Sequence, residues 1–68
     1  MIVHENQVGE TLRCVRESLS LTQGRVAIAA RLQQSQLSQI EGGTTVPTIK
    51  TFIRIVEGMG LCVKIEKK

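Results

Sequence analysis

The chain has 68 residues and a mass of 7.5 kDa, with 41% hydrophobic residues, two cysteines and one aromatic side chain, Phe52. That is one small domain: too short for a multidomain enzyme, too poor in cysteine for the disulfide framework of a small secreted domain, and, with His4 its only histidine, without the ligands of a zinc-stabilised finger. Nine Lys and Arg against six Asp and Glu give a formal charge of +3, which permits nucleic-acid binding but is scattered rather than gathered in a basic run.

At the amino terminus, Met1-Ile2-Val3-His4-Glu5 lacks the basic region and long apolar segment of a secretory signal. No apolar stretch approaches the roughly 20 residues of a membrane span, so the expected location is the cytoplasm, without membrane contact. Cys14 and Cys62 are then expected to be reduced and to serve as small packing residues. Val8, Leu12, Val15 and Leu19 draw one apolar face and predict a helix ending near Ser18. Thr22 suits the N-cap of a second helix, through Val26, Ala27 and Ala30 to about Arg31. A third helix, Gln34 to Glu41, buries Leu37 and Ile40, and Gly42-Gly43 stops it. Beyond a loop to Pro47, Thr48 caps a fourth helix whose apolar stripe is Ile49, Phe52, Ile53 and Val56, with Gly58 and Gly60 at its end.

The tail changes period. Leu61, Val63 and Ile65 alternate with Cys62, Lys64 and Glu66, which predicts a strand over about 61–66. Its partner is either Met1 to His4 or the same strand of a second copy. The second copy is favoured: pairing across a two-fold axis satisfies the strand's edge and adds core to a domain short of it. The expectation is a single, mostly α domain over residues 1–68, with a short carboxy-terminal strand and a homodimer built on it.

The second and third helices, joined by a tight connection with the small Ala27 where they cross, form a helix-turn-helix. Such a unit lays its first helix across the DNA backbone and inserts its second into the major groove. At about 100° per residue, Leu37 and Ile40 point inward while Ser35, Ser38 and Gln39 point outward. Gln34 stands at the leading edge, and Gln36 falls on a flank, nearer a backbone contact than a base. A solvated helix face ordinarily carries Lys and Glu; an uncharged face of amides and hydroxyls suits base edges.

These residues, Leu21-Thr22-Gln23, Ala27, Gln34-Ser35-Gln36-Leu37-Ser38-Gln39-Ile40-Glu41-Gly42-Gly43 and Pro47, resemble the XRE family of phage-repressor-like regulators over about residues 9 to 61. The resemblance implies a lambda-repressor-like domain of four to five helices that binds a palindromic operator in double-stranded DNA as a dimer, in a bacterial or phage-encoded, nucleoid-associated protein. It places base reading on Gln34, Ser35 and Gln39, with Ser38 close by. It gives Gln23 a phosphate contact and a bracing role, and pairs Arg16 with Glu41 as scaffold. The last agrees with the position of Glu41 beside the buried face of its helix. Backbone contacts are expected from Thr22, Gln23, Gln36, Thr44, Thr45, Thr48 and Lys50; the loop Thr44-Thr45-Val46 lacks the family's basic residue, so its hydroxyls and amides are expected to serve.

The sequence also departs from the family. Arg31 replaces the glycine of the turn, so the turn either takes the left-handed conformation at some cost or is reshaped, and Gln33 replaces the usual Ser or Thr N-cap. Gly24 weakens its helix by about 1 kcal/mol relative to alanine. Ile28 and Ala29 stand where polar residues are usual; they are either scattered surface apolar residues of the common kind or a contact for a protein partner.

The function expected is a transcriptional regulator, most simply a repressor. The alternative is an antitoxin: the chain looks like small antitoxins of the HipB and HigA type, which neutralise a toxin protein and repress their own operons. No catalytic constellation, cofactor, metal or small-molecule ligand is expected.

Overall fold

The computed structural model describes residues 7–64. Within them the chain forms four helices: α1 (Val8–Ser18), α2 (Gln23–Ala30), α3 (Gln34–Glu41) and α4 (Ile49–Gly58). None is long and apolar enough to cross a membrane. There is no strand among the described residues. Residues 61–64 carry no regular structure, and Leu61 and Val63 stand 43% and 39% exposed. A strand exists only as part of a ladder, and no other described segment offers one an edge. Ile65, Glu66 and Met1 to His4, the rest of the anticipated pairing, lie outside the described residues.

The core is aliphatic: Leu12 from α1; Val26, Ala27 and Ala30 from α2; Leu37 and Ile40 from α3; and Ile55 from α4, followed by Met59. Val8, Val15, Leu21, Leu32, Phe52 and Val56 pack around it. This corrects the stripe expected on α4. Ile55 is fully buried, Ile53 only half-buried and Ile49 80% exposed. Phe52, Ile55, Val56 and Met59 have the same helical spacing as the stripe anticipated, so periodicity alone does not choose between them. The choice is made where α4 meets α2: a Cβ on Gly58 would lie 3.2 Å from both the Ala30 nitrogen and the Val26 oxygen, and this close approach turns Ile55 inward. Gly9 makes an even closer crossing, where a Cβ would run into the Ile40 carbonyl at the end of α3. Cys14 and Cys62 are free and exposed rather than packed; the core side of α1 is Gly9, Leu12 and Arg16.

All four helices stop the same way. Ser20, Arg31, Gly43 and Gly60 each take a left-handed conformation, at φ 58°, 60°, 81° and 84°. In each case that residue's amide bonds the carbonyl three residues back, and the following amide bonds the one five back. At Arg31 these are Arg31 N to Ile28 O at 3.1 Å and Leu32 N to Ala27 O at 2.9 Å. Of the two alternatives for this connection, the helix-turn-helix therefore keeps the glycine-type geometry at a cost, and the turn is not reshaped. The cost, about 1–2 kcal/mol for a side chain in this conformation, is offset from outside. Arg54 of α4 donates from Nε to the Ala30 oxygen at 2.9 Å and from Nη2 to the Arg31 oxygen at 2.7 Å. Charge-assisted bonds of this kind contribute roughly 1.5–3 kcal/mol each when shielded, and less in a half-exposed site such as this.

Candidate nucleic-acid interface

The two helices of the unit begin with defined caps. Thr22 Oγ1 accepts the Arg25 amide at 3.1 Å, which starts α2. Gln33, at the N-cap of α3, has extended geometry, and its amide donates to Gln36 Oε1 at 2.9 Å. Gln36 thus supplies the back-reaching half of a capping box: it satisfies the backbone amide of the N-cap residue itself, not the first-turn amide that a Ser or Thr hydroxyl would serve. Its oxygen is engaged within its own helix, and only its NH2 group remains to meet a phosphate.

The far end of α3 is locked. Arg16 donates from Nε to Glu41 Oε2 at 2.8 Å and from Nη2 to Glu41 Oε1 at 3.0 Å, while Nη1 reaches the Leu21 oxygen at 2.7 Å. Gln23 Nε2 adds a third bond to Glu41 Oε1 at 3.0 Å. The Glu41 and Arg16 side chains are 2% and 11% exposed. The hydrogen bond to Glu41 raises the Arg16 pKa, outweighing desolvation, so the guanidinium is always charged. Four partners from α1, the turn after it, α2 and α3 are joined at one point. No buried side-chain polar atom among the described residues is left without a partner. Gln23, expected both to meet a phosphate and to brace α3, gives its nitrogen to Glu41, as bracing requires, and its oxygen makes no bond among the described residues.

The outer face of α3 is the opposite. Gln34, Ser35, Ser38 and Gln39 are all exposed, and among the described residues none of their side chains makes a hydrogen bond. Gln34 lies over the start of α2, its Oε1 3.4 Å from where a Cβ on Gly24 would be. A side chain at position 24 would meet that amide at about van der Waals contact. Four uncharged hydrogen-bonding side chains stand in a row on a helix whose inner edge is fixed, a geometry suited to base edges in a groove.

The flanking loop is less available than expected. The amides of Thr44 and Thr45 both donate to the Gln39 oxygen, at 3.0 and 3.4 Å, so only their hydroxyls can reach a ligand. Thr48 Oγ1 accepts the Thr51 amide at 3.2 Å and donates to Thr51 Oγ1 at 3.0 Å. Its proton is used, and the hydroxyl left over is that of Thr51, which the sequence did not single out. Gln36, Gln39, Thr45, Thr48 and Thr51 line one hollow of about 260 Å³ between α3 and α4. Lys50 is not in it; it lines a separate hollow with Arg31, Arg54 and Glu57 at the end of α2. Arg25, exposed on the first turn of α2 beside Thr22 and Gln23, is a cation that the sequence showed only as one of several scattered charges.

The chain matches the protein family described as "Helix-turn-helix domain" over residues 9–61, which spans all four helices except the first residue of α1. No curated protein matches it.

Proposed function

The chain belongs to the helix-turn-helix domain family, which binds DNA and regulates transcription, and from that premise we propose a sequence-specific regulator that represses by occupying a palindromic operator as a dimer. Gln34, Ser35, Ser38 and Gln39 read base edges. Thr22, Gln23, Gln36, Thr44, Thr45 and Lys50 hold the phosphate backbone, with Thr51 taking the part expected of Thr48. Arg16 and Glu41 are scaffold. The observation that carries this reading is the contrast across α3: an outer face of exposed, unpaired amides and hydroxyls on a helix whose inner end is fixed by four hydrogen bonds counted around Arg16 and Glu41. The site of action is the cytoplasm, where the DNA is.

Selection of binding sites from random duplex DNA tests it. A palindrome with half-sites about 34 Å apart is expected. Gln34→Ala and Gln39→Ala should each weaken binding to the selected site by about 1–3 kcal/mol and relax base preference locally. Lys50→Ala should weaken binding to all sequences alike and lower the salt slope by about one. Selection of no sequence, or variants with unaltered specificity, would overturn the reading.

A second reading, an antitoxin that neutralises a toxin protein and represses its own operon, draws support from Ile28. This side chain is 81% exposed beside the exposed Ala29 on the outside of α2, a surface that suits protein better than phosphate. Co-expression with the product of the adjacent gene separates the two: a stable complex, or rescue from toxicity, favours the antitoxin.

A further inference from the structure

Arg54 lies on α4, outside the helix-turn-helix, and none of the base-reading residues touches it. Its two hydrogen bonds go to the Ala30 and Arg31 carbonyls, the last of α2 and the first of the turn. These are the groups that a helix end leaves without intrahelical partners. The turn's own amides already satisfy Ala27 and Ile28. Ala30 and Arg31 are thus held from α4 alone, at the one residue of the connection, Arg31 at φ 60° and ψ 42°, that a side chain makes costly. Two residues later α3 begins its cap at Gln33, so the direction in which α3 leaves the turn depends on the torsions of Arg31.

We propose that Arg54 is a positioning residue for DNA recognition: by clamping the Ala30 and Arg31 carbonyls it keeps Arg31 left-handed and so sets the angle at which α3 is presented to the groove. The proposal rests on the DNA-reading function above. A glycine at the turn holds this conformation by itself, whereas Arg31 needs the clamp. Arg54 and the residue at the turn therefore act as one device, and a change at either has a consequence that depends on the other.

The experiment uses the full chain and four variants: Arg54→Gln, Arg54→Lys, Arg31→Gly and the double variant R31G/R54Q. Each is titrated with the duplex selected from random DNA and with a scrambled duplex of equal length, at a temperature where all are folded by circular dichroism. Arg54→Gln is expected to weaken binding to the selected duplex about tenfold, the scale of 1.4 kcal/mol, and to leave the scrambled duplex within about twofold. R31G/R54Q is expected to return to within about twofold of Arg31→Gly on the selected duplex, because glycine makes the clamp dispensable. Arg54→Lys keeps the charge but not the two-pronged donor geometry, and should fall between.

A merely structural role would lower the melting temperature and leave the ratio of selected to scrambled binding unchanged, which overturns the proposal. Equal loss on both duplexes would make Arg54 a phosphate contact, and overturns it too, as does failure of Arg31→Gly to rescue. Where Arg54→Gln does not fold, Arg54→Lys and the double variant decide. Amide chemical shifts of Gln34 to Gln39 provide a readout without DNA: they should move in Arg54→Gln and return in R31G/R54Q. If they do not move, the clamp is wrong. If they behave as stated while the wild-type chain selects no DNA sequence, the positioning stands and the DNA-reading function fails.

Discussion

Ser20 and Arg31 end the first two helices, Gly43 and Gly60 the last two, and all four take the same left-handed stop with the same pair of backbone bonds. What surrounds them differs. Beside Ser20, Arg16 donates to the Leu21 carbonyl; at Arg31, Arg54 donates to the carbonyls of Ala30 and of Arg31 itself. No arginine is bonded at either glycine turn. The glycine stops are complete within themselves, since glycine has no Cβ to strain. The other two are held by long side chains that are themselves anchored elsewhere in the fold. These two turns bracket α2, so the orientation of the first helix of the DNA-binding unit is fixed by α1, α3 and α4 together, while the later turns only end their helices.

The sharpest way to break this contrast is Arg16→Met. It removes both bonds to Glu41 and the one to Leu21 at once, and leaves a carboxylate that is 2% exposed with Gln23 as its remaining side-chain partner. Breaking one side of a buried pair costs about 3–5 kcal/mol, most of the stability of a domain this size. Urea denaturation should show a chain unfolded or nearly so at 25 °C. Adding Glu41→Gln removes the orphaned charge, so whatever deficit remains in R16M/E41Q, about 1 kcal/mol, reports the hold on the Ser20 turn. A loss under about 1 kcal/mol for Arg16→Met would show that neither the pair nor the turn depends on it.

The glycine turns give the middle-sized test. A Cβ at Gly43 or Gly60 meets no atom within 4 Å, so Gly43→Ala and Gly60→Ala measure backbone conformation with no clash added. Each should destabilise by about 1 kcal/mol in thermal or urea unfolding, the left-handed cost less the gain from a stiffer unfolded chain. Neither has an arginine to restore what is lost, so losses far smaller than this would mean that the clamps at Ser20 and Arg31 are not what makes a side chain tolerable there.

The parts of the molecule that local chemistry decides were legible in the sequence. Val8–Ser18 and Gln34–Glu41 are helices where expected, Thr22 and Thr48 cap theirs, and the outward side of α3 is exposed as its projection requires. What was not legible depends on contacts between distant residues. Two interleaved stripes on α4 fit the helical period equally, and only the approach of Gly58 to α2 selects the one with Ile55. Gly9 had no signal at all, because its role is the space it leaves for the Ile40 carbonyl. Arg54 looked like one of several scattered cations, though its partners lie 24 and 23 residues away. Hydroxyl and amide supply in the loop was overcounted for the same reason: Thr48 and the amides of Thr44 and Thr45 suit phosphate by type, but turn out to be used within the fold.

The smallest expected effect is the one that separates strain from support most cleanly. Ser20→Gly removes the cost of the left-handed side chain while leaving Arg16 and its bonds to Glu41 and Leu21 in place. The relief is about 1–2 kcal/mol, and the extra freedom of glycine in the unfolded chain takes back about 0.4–1 kcal/mol. A net gain of about 0.5 kcal/mol, raising the urea midpoint at constant slope, is therefore expected. If Arg16 holds the turn, the same substitution should gain more in the R16M/E41Q background, where the clamp is gone and the strain is unopposed. Equal gains in both backgrounds would mean that the Leu21 bond does nothing for the turn, and that Ser20 keeps its conformation through the two backbone bonds alone.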